Sequence, residues 1–242
     1  MRKMLHEALV YDPAPTEPLS LEKRTVLERV GSSRRVLEVG AHTGRFSALL
    51  RERGCHVTAI EIDPRAARIA GQAADRVIVG DIEVPAVCAR IGGSFDVVLF
   101  MHVLEHLMDP WRVLRDTRHL LGPDGRVIVL LPNVACWRIR KDLFLHGRFR
   151  YTETGILDRT HLRFFTFASA HELLAGAGYE LTSFAPIDVS VPLELRMSRV
   201  PAVRRFCGPW HAWMARRFPN LCSEILLLEA RPSAPLLRAE VG

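Results

Sequence analysis

Histidine titrates closer to neutrality than any other side chain, so it can take a proton from an acceptor group near pH 7. Three histidines fall in runs where that chemistry makes sense. His102 and His106 share Met101-His102-Val103-Leu104-Glu105-His106, and His161 lies in Gly155-Ile156-Leu157-Asp158-Arg159-Thr160-His161-Leu162-Arg163-Phe164-Phe165. Asp158 precedes His161 by three residues. In a turn it could hold one ring nitrogen and raise the basicity of the other, or bind a substrate hydroxyl. A local Asp–Arg–His surface network explains the same run equally well. His106 reads better as a turn histidine bonded to backbone than as a catalytic group. The cysteines Cys55, Cys88, Cys136, Cys207 and Cys222 are scattered, with no C-x-x-C pair. That pattern argues against a disulfide framework or zinc site and for a reducing cytoplasm. No ligand cluster for a metal stands out.

A second group of residues suits a nucleotide-like ligand. Val36-Leu37-Glu38-Val39-Gly40-Ala41-His42-Thr43-Gly44 runs from an apolar stretch into a glycine loop, where the backbone can turn tightly and approach a ligand. The dinucleotide fingerprint G-x-G-x-x-G fits poorly, because His42 and Arg45 occupy two of its glycine positions. Glu61 closes the next apolar stretch, where an acidic residue can bind ribose hydroxyls. Asp81 follows a third and could accept from an exocyclic adenine amine. Each carboxylate alone reads as a helix cap or surface group. The ordered series, each member at a strand's C-terminal end, marks the edge where open α/β sheets bind ligands.

Those positions need a scaffold, and the sequence supplies one. Residues 34–39, 56–62, 76–80, 95–101 and 126–132 are short, apolar and rich in Val and Ile, as strands buried on both faces should be. Helical patterns lie between them near 44–53, 64–73, 83–91 and 109–121, with Asp63 and Asp109 as caps, Pro110 in a first turn and Gly122-Pro123 as a stop. This alternation predicts a Rossmann-like, doubly wound, mostly parallel α/β sheet. Residues 19–30 form a further helix opened by Ser20. After Pro132 come a helix over 134–146, an irregular 147–166, a helix over 167–177, and a late antiparallel strand pair at 179–187 and 223–231.

The chain resembles the class I S-adenosylmethionine-dependent methyltransferases over about residues 34–186. The likeness rests on Glu38-x-Gly40-x-x-x-Gly44, Glu61, Gly80-Asp81, Phe95-Asp96-Val97-Val98 and the Val103-Leu104-Glu105-His106 phrase. It implies S-adenosylmethionine as cofactor. Glu38, Gly40 and Gly44 would line its methionine part, with His42 beside them where many members carry a third glycine. Glu61 and Ile62 would meet the ribose, and Asp81 with Ile82 the adenine. Met101 and His102 would lie beside the sulfonium. The resemblance implies an enzyme methylating a small molecule, with His161, Asp158 and His106 as catalytic candidates. The Asp158–Phe165 run is similar to methyltransferases of bacterial glycan and natural-product clusters, which favours O-methylation of a sugar, glycan or other small hydroxylated acceptor. Pro132-Asn133 through Trp137-Arg138 and Gly147-Arg148 is also similar to the MetW group, which would make the chain a non-catalytic interaction protein. An N-methyltransferase is a third option.

Composition narrows the class and the partners. The 242 residues are 48% hydrophobic and 25% charged, which excludes wholesale disorder. No apolar run is long enough for a membrane span, and the N-terminus lacks a secretory h-region. Cytoplasmic placement is expected. The net charge of +6 is mostly arginine. A GC-rich genome explains that blandly; an anionic acceptor explains why Arg138, Arg140, Lys141, Arg148, Arg150 and a second group at 196–217 cluster where a lid would sit. The expected plan is an arm and helix at 1–33, a methyltransferase domain at 34–231 with helical-lid insertions at 133–166 and 188–222, and a tail at 232–242. Trp210 and Trp213 could stack on a sugar or touch a membrane surface. Nucleic acid is not expected. The oligomeric state is open, with a homodimer as one option.

Overall fold

The computed structural model describes residues 19–189, 210, 213–214 and 216–233. The arm before Leu19, most of the 188–222 excursion with Arg196, Arg199, Arg204 and Arg205, and the tail from Ala234 lie outside the described residues.

In chain order the elements are α1 (Leu21–Val30), β1 (Arg35–Val39), α2 (Arg45–Glu52), β2 (His56–Glu61), α3 (Pro64–Ala70), β3 (Arg76–Val79), α4 (Pro85–Ala89) and β4 (Phe95–Met101). A 3-10 turn at Leu104–His106, α5 (Pro110–Arg118), β5 (Leu121–Pro132) and α6 (Trp137–His146) follow. The chain closes with α7 (Phe167–Gly176), β6 (Tyr179–Val189), α8 (Pro219–Cys222) and β7 (Ser223–Pro232). The seven strands form one sheet in the order β3-β2-β1-β4-β5-β7-β6, and β7 runs antiparallel to both neighbours. This is the doubly wound sheet with a late antiparallel pair that the residue pattern predicts.

Alternation along the central strands builds two cores. Leu37, Val39, Val98, Phe100, Val127 and Val129 point to one face and pack with α5 and α7. Val36, Val97, Leu99, Ile128 and Leu130 point to the other and pack with α1 and α2. Strands covered on both faces must be apolar throughout, which is why they read as continuous runs. Helix starts follow the capping chemistry of the sequence. Ser20 accepts from Lys23 N, Asp63 from Arg65 N and Asp109 from Arg112 N. Helix α4 starts at Pro85 rather than 83, because Asp81 spends its side chain on Glu83 N and its carbonyl on Val84 N. Gly122 and Pro123 belong to β5, since α5 stops at Arg118 and Leu121 already pairs with Phe95.

Helix α1, set apart from the domain in the sequence reading, buries Val26, Leu27 and Val30 in the second core. Charge reinforces this seat. Glu229 on β7 is 8% exposed; its Oε1 takes Arg29 Nη1 at 2.7 Å, and Oε2 lies 3.5 Å from Arg126 Nε. Arg126 also donates to the Arg29 carbonyl at 2.7 Å. Removing the shared carboxylate strands Arg126 and loosens α1. Glu229→Ala should lower the unfolding free energy by about 2–3 kcal/mol in urea titrations, below the full cost of orphaning a buried pair because Arg29 is over a third exposed.

Candidate active site

The C-terminal ends of β1, β2, β3 and β4 face one edge, and the strand order reverses between β1 and β4. Such a switch point opens a crevice. On the β1 side, Gly40 has φ +77°, and a Cβ there would sit 2.6 Å from Val103 Cγ2. Gly44 caps α2 in the left-handed region at φ +79°. His42, where many relatives place a third glycine, is itself left-handed at φ 50°. Histidine is among the side chains that tolerate this region, and its N–H donates to Glu61 Oε2 at 2.7 Å. Glu61 Oε1 accepts from Asp63 N at 2.8 Å. The buried Glu61 carboxylate thus shapes the loop, and each oxygen keeps a lone pair for a ligand hydroxyl.

Glu38 lies under the same loop, 4% exposed, and accepts from Ser47 Oγ at 2.5 Å. Burial pushes its carboxyl up to about 7; the Ser47 bond opposes the rise and the charge of Glu61 adds to it. Two buried carboxylates facing one crevice suit a ligand with positive charge. Asp81 closes β3 in an Asx turn. Ile82 is 5% exposed and packs in the first core, so its side chain supports the crevice from below. Ile62 is half-buried after β2, and Met101 is half-buried at the end of β4 against the second core.

His102 departs from the expectation of a group free to face a sulfonium. It is left-handed at φ 54°, and its Nε2 meets Glu22 Oε1 of α1 at 3.0 Å. Its Nδ1 lies 3.4 Å from Glu105 Oε1, an ionic distance without an aligned hydrogen bond. Burial alone would push its pKa down, but the two carboxylates prevail and raise it to about 10. His102 is therefore a charged clasp between α1 and the strand-end turn. Glu22 is a polar first-turn position of its helix that only tertiary packing brings to the site.

The other side of the crevice is a cavity of about 800 Å³ lined by His102, Glu105, His106, Asp158 and His161, with walls from α6, the 148–158 segment and β7. His106 Nδ1 lies 3.2 Å from the Thr160 carbonyl, the backbone bond expected of a turn histidine. The two imidazoles meet edge to face at 4.9 Å between centroids. The expected Asp158–His161 pair does not form. Asp158 Oδ1 accepts from both the N–H and the hydroxyl of Thr160, each at 2.7 Å. His161 Nδ1 instead lies 3.1 Å from the Ile156 carbonyl. The turn aims Asp158 inward at its own backbone, and a carbonyl orients the ring. Burial holds the His161 pKa below its usual value, against the pull of Glu105. The loop is pinned by Leu162 N and Arg163 N, which donate to the Glu105 carbonyl at 2.8 and 3.0 Å.

Two further expectations change. A ligand cluster does exist: one donor atom each from Glu105, His106 and His161 lie within 4.8 Å of one another. The cavity wall is also not uniformly cationic. Arg138, Arg148 and Arg150 face Glu105, Asp142, Asp158, Asp188 and Glu224, and Arg138 is already paired with Glu224 at 2.8 Å. Helix α6 has no buried side chain, and Phe144 on it is 88% exposed. Of the Arg-rich excursion only its last residues are described. Among the described residues no helix is long and apolar enough to cross a membrane.

This sheet order, with an acidic, glycine-bearing edge beside a second cavity, is that of the class I S-adenosylmethionine-dependent methyltransferases. Residues 16–183 match the sequence family described as "Methyltransferase domain", and the chain belongs to that family. It is 33% identical over 129 residues to a ubiquinone biosynthesis O-methyltransferase of Xylella fastidiosa, covering 49% of this chain and 52% of that protein. A protein of the same name from Ralstonia nicotianae is 36% identical over 100 residues, 40% of this chain and 42% of that one. The chain thus spans about half the length of the curated relatives it matches. Among solved structures, a methyltransferase from Archaeoglobus fulgidus superposes with a TM-score of 0.61 at 16% identity, over 87% of this chain and 92% of that one. The 1,6-didemethyltoxoflavin-N1-methyltransferase of Burkholderia thailandensis, solved with its substrate and S-adenosylhomocysteine, gives 0.54 at 19% identity, over 88% and 78%. The [4+2]-cyclase SpnF gives 0.56 at 18% identity, over 88% and 81%.

S-adenosylmethionine is the cofactor of this class, and the crevice fits it: an open Gly40 turn, two buried carboxylates for a cationic ligand, and Glu61 with lone pairs for hydroxyls. Glu61→Ala should weaken its binding in calorimetry by roughly 1–3 kcal/mol, the cost of losing a charged acceptor. A pH dependence follows from Glu38. A cationic ligand favours the ionised carboxylate, so affinity should rise by up to about tenfold per pH unit as pH climbs toward about 7, then level off. Because the folded pKa lies above the unfolded 4.5, the free protein should lose stability over the same climb. Glu38→Gln should flatten both curves.

Proposed function

We propose that the chain transfers the methyl group of S-adenosylmethionine to a hydroxyl of a small acceptor seated in the cavity above His106 and His161. The observation that carries this reading is the histidine pair. Each ring donates its Nδ1 hydrogen to a carbonyl, which can only accept, so in the neutral ring the lone pair belongs to Nε2. Two oriented imidazoles beside a buried carboxylate suit assistance to the loss of a hydroxyl proton. An acceptor amine that is already neutral needs no base before it attacks. The relatives named for O-methylation point the same way.

The residues divide into two groups. Glu38, Gly40, His42 and Gly44 hold the amino-acid end of the cofactor, Glu61 and Ile62 the ribose, and Asp81 with Ile82 the adenine. The cofactor supplies an electrophilic methyl group; Met101 at the end of β4 borders it, and the His102 clasp fixes the turn between the two compartments. Glu105, His106 and His161 handle the acceptor oxygen and its proton, and Asp158 keeps the 158–161 turn in shape through Thr160. A neutral or mixed-charge acceptor such as a phenol, a sugar or a natural-product hydroxyl fits a wall with both arginines and carboxylates.

The test is formation of S-adenosylhomocysteine with panels of phenolic, sugar and amine acceptors. A hydroxylated acceptor should be turned over, and His161→Ala should lower the turnover number by about a hundredfold or more with cofactor affinity unchanged. Asp158→Ala should cost less. Cofactor binding without turnover on any acceptor would favour an interaction role like that of MetW. Normal turnover in His161→Ala would remove the hydroxyl reading.

A further inference from the structure

Glu105 is 0% exposed, and among the described residues neither of its carboxylate oxygens accepts a hydrogen bond. Its one charged neighbour is His102 Nδ1, 3.4 Å from Oε1, and His102 already shares its charge with Glu22. A buried carboxylate left this way is costly unless something satisfies it. Directly beside it stand two imidazoles whose Nδ1 atoms are committed to carbonyls, at 3.2 Å for His106 and 3.1 Å for His161. A backbone carbonyl behind one ring nitrogen is the support that fixes the tautomer of metal-bound histidines. One donor atom from each of the three residues falls within 4.8 Å of the others, and all three line the cavity.

We propose that Glu105, His106 and His161 form a binding site for a divalent transition-metal cation, with its open coordination positions facing the cavity. One carboxylate and two neutral imidazoles suit zinc, cobalt, iron or manganese rather than calcium or magnesium. Metal–ligand bonds of about 2 Å require the three donors to draw together by about an ångström, within reach of side chains on a short turn and a loop. A bound cation would satisfy Glu105. Where the hydroxyl-methylation reading holds, on which this consequence rests, the cation takes the acceptor hydroxyl as a further ligand and lowers its pKa, so that the proton leaves to solvent water. The oxygen then forms its bond to the methyl carbon as the carbon–sulfur bond breaks, and S-adenosylhomocysteine leaves neutral at sulfur.

The test uses the full chain freed of metal by chelation and dialysis. Titration with Co(II), followed by visible d–d absorption and by calorimetry, should show one equivalent bound per chain. Zn(II) should displace it. Glu105→Gln and His161→Ala should each weaken Co(II) binding by at least about a hundredfold, while His171→Ala, on the exposed side of α7, should not. Cofactor binding, measured on every variant, confirms that each one folds. Co(II) binding equal in wild type and His161→Ala, or no stoichiometric binding in wild type, overturns the site. Stoichiometric binding without turnover on any acceptor sustains the metal site and removes the methylation reading. Loss of turnover in His161→Ala without any metal binding makes His161 a base and removes the metal.

Discussion

A negative charge with no access to water sits at the hinge of this molecule. Glu105 closes the turn after β4, where the cofactor crevice meets the acceptor cavity, and its carboxylate is fully buried. Its backbone carbonyl holds the 155–165 loop through Leu162 and Arg163, and its side chain draws in His102. His102 in turn holds Glu22 of α1. A helix from the start of the described chain, the central strand end and a loop from beyond β5 are therefore organised around one carboxylate. An apolar residue there would leave His102 with Glu22 alone and take from His161 the larger of the two carboxylate influences on it, leaving that of Asp158.

The cofactor half was legible because its demands are local. Val and Ile runs, glycines at loop positions and carboxylates at strand ends are each dictated by backbone geometry within a few residues, and the sheet order and caps follow. His42 stands where a glycine is usual, yet the backbone keeps the left-handed conformation that a glycine would adopt. The residue that breaks the glycine pattern therefore leaves the loop's backbone geometry intact.

The acceptor half was legible only as a location. Spacing placed Asp158 and His161 in one turn, but spacing does not say which way a carboxylate points, and the N–H and hydroxyl of Thr160 won it. Glu105 read only as part of the Val103-Leu104-Glu105-His106 phrase and Glu22 only as a first-turn helix residue, since Glu22 is separated from its partner His102 by 80 residues. Clusters built by tertiary folding, such as Glu105 with His106 and His161, leave no periodic trace. The arginines suggested an anionic acceptor because the sequence shows charges without their neighbours, and the fold then set carboxylates among them.

Asn133, at the end of β5, is 0% exposed and spends its amide on three backbone groups: it donates to the Asn220 and Ser223 carbonyls and accepts from Ala135 N. The cavity wall is thereby tied to a strand that follows all its neighbours in the chain, since Glu224 and Ile225 line the cavity and β7 must insert between β5 and β6. During synthesis on the ribosome, every residue of the cofactor crevice has emerged long before Ser223. The cavity wall therefore cannot be completed until β7 has emerged, well after the strand ends of β1 to β4 are free to fold.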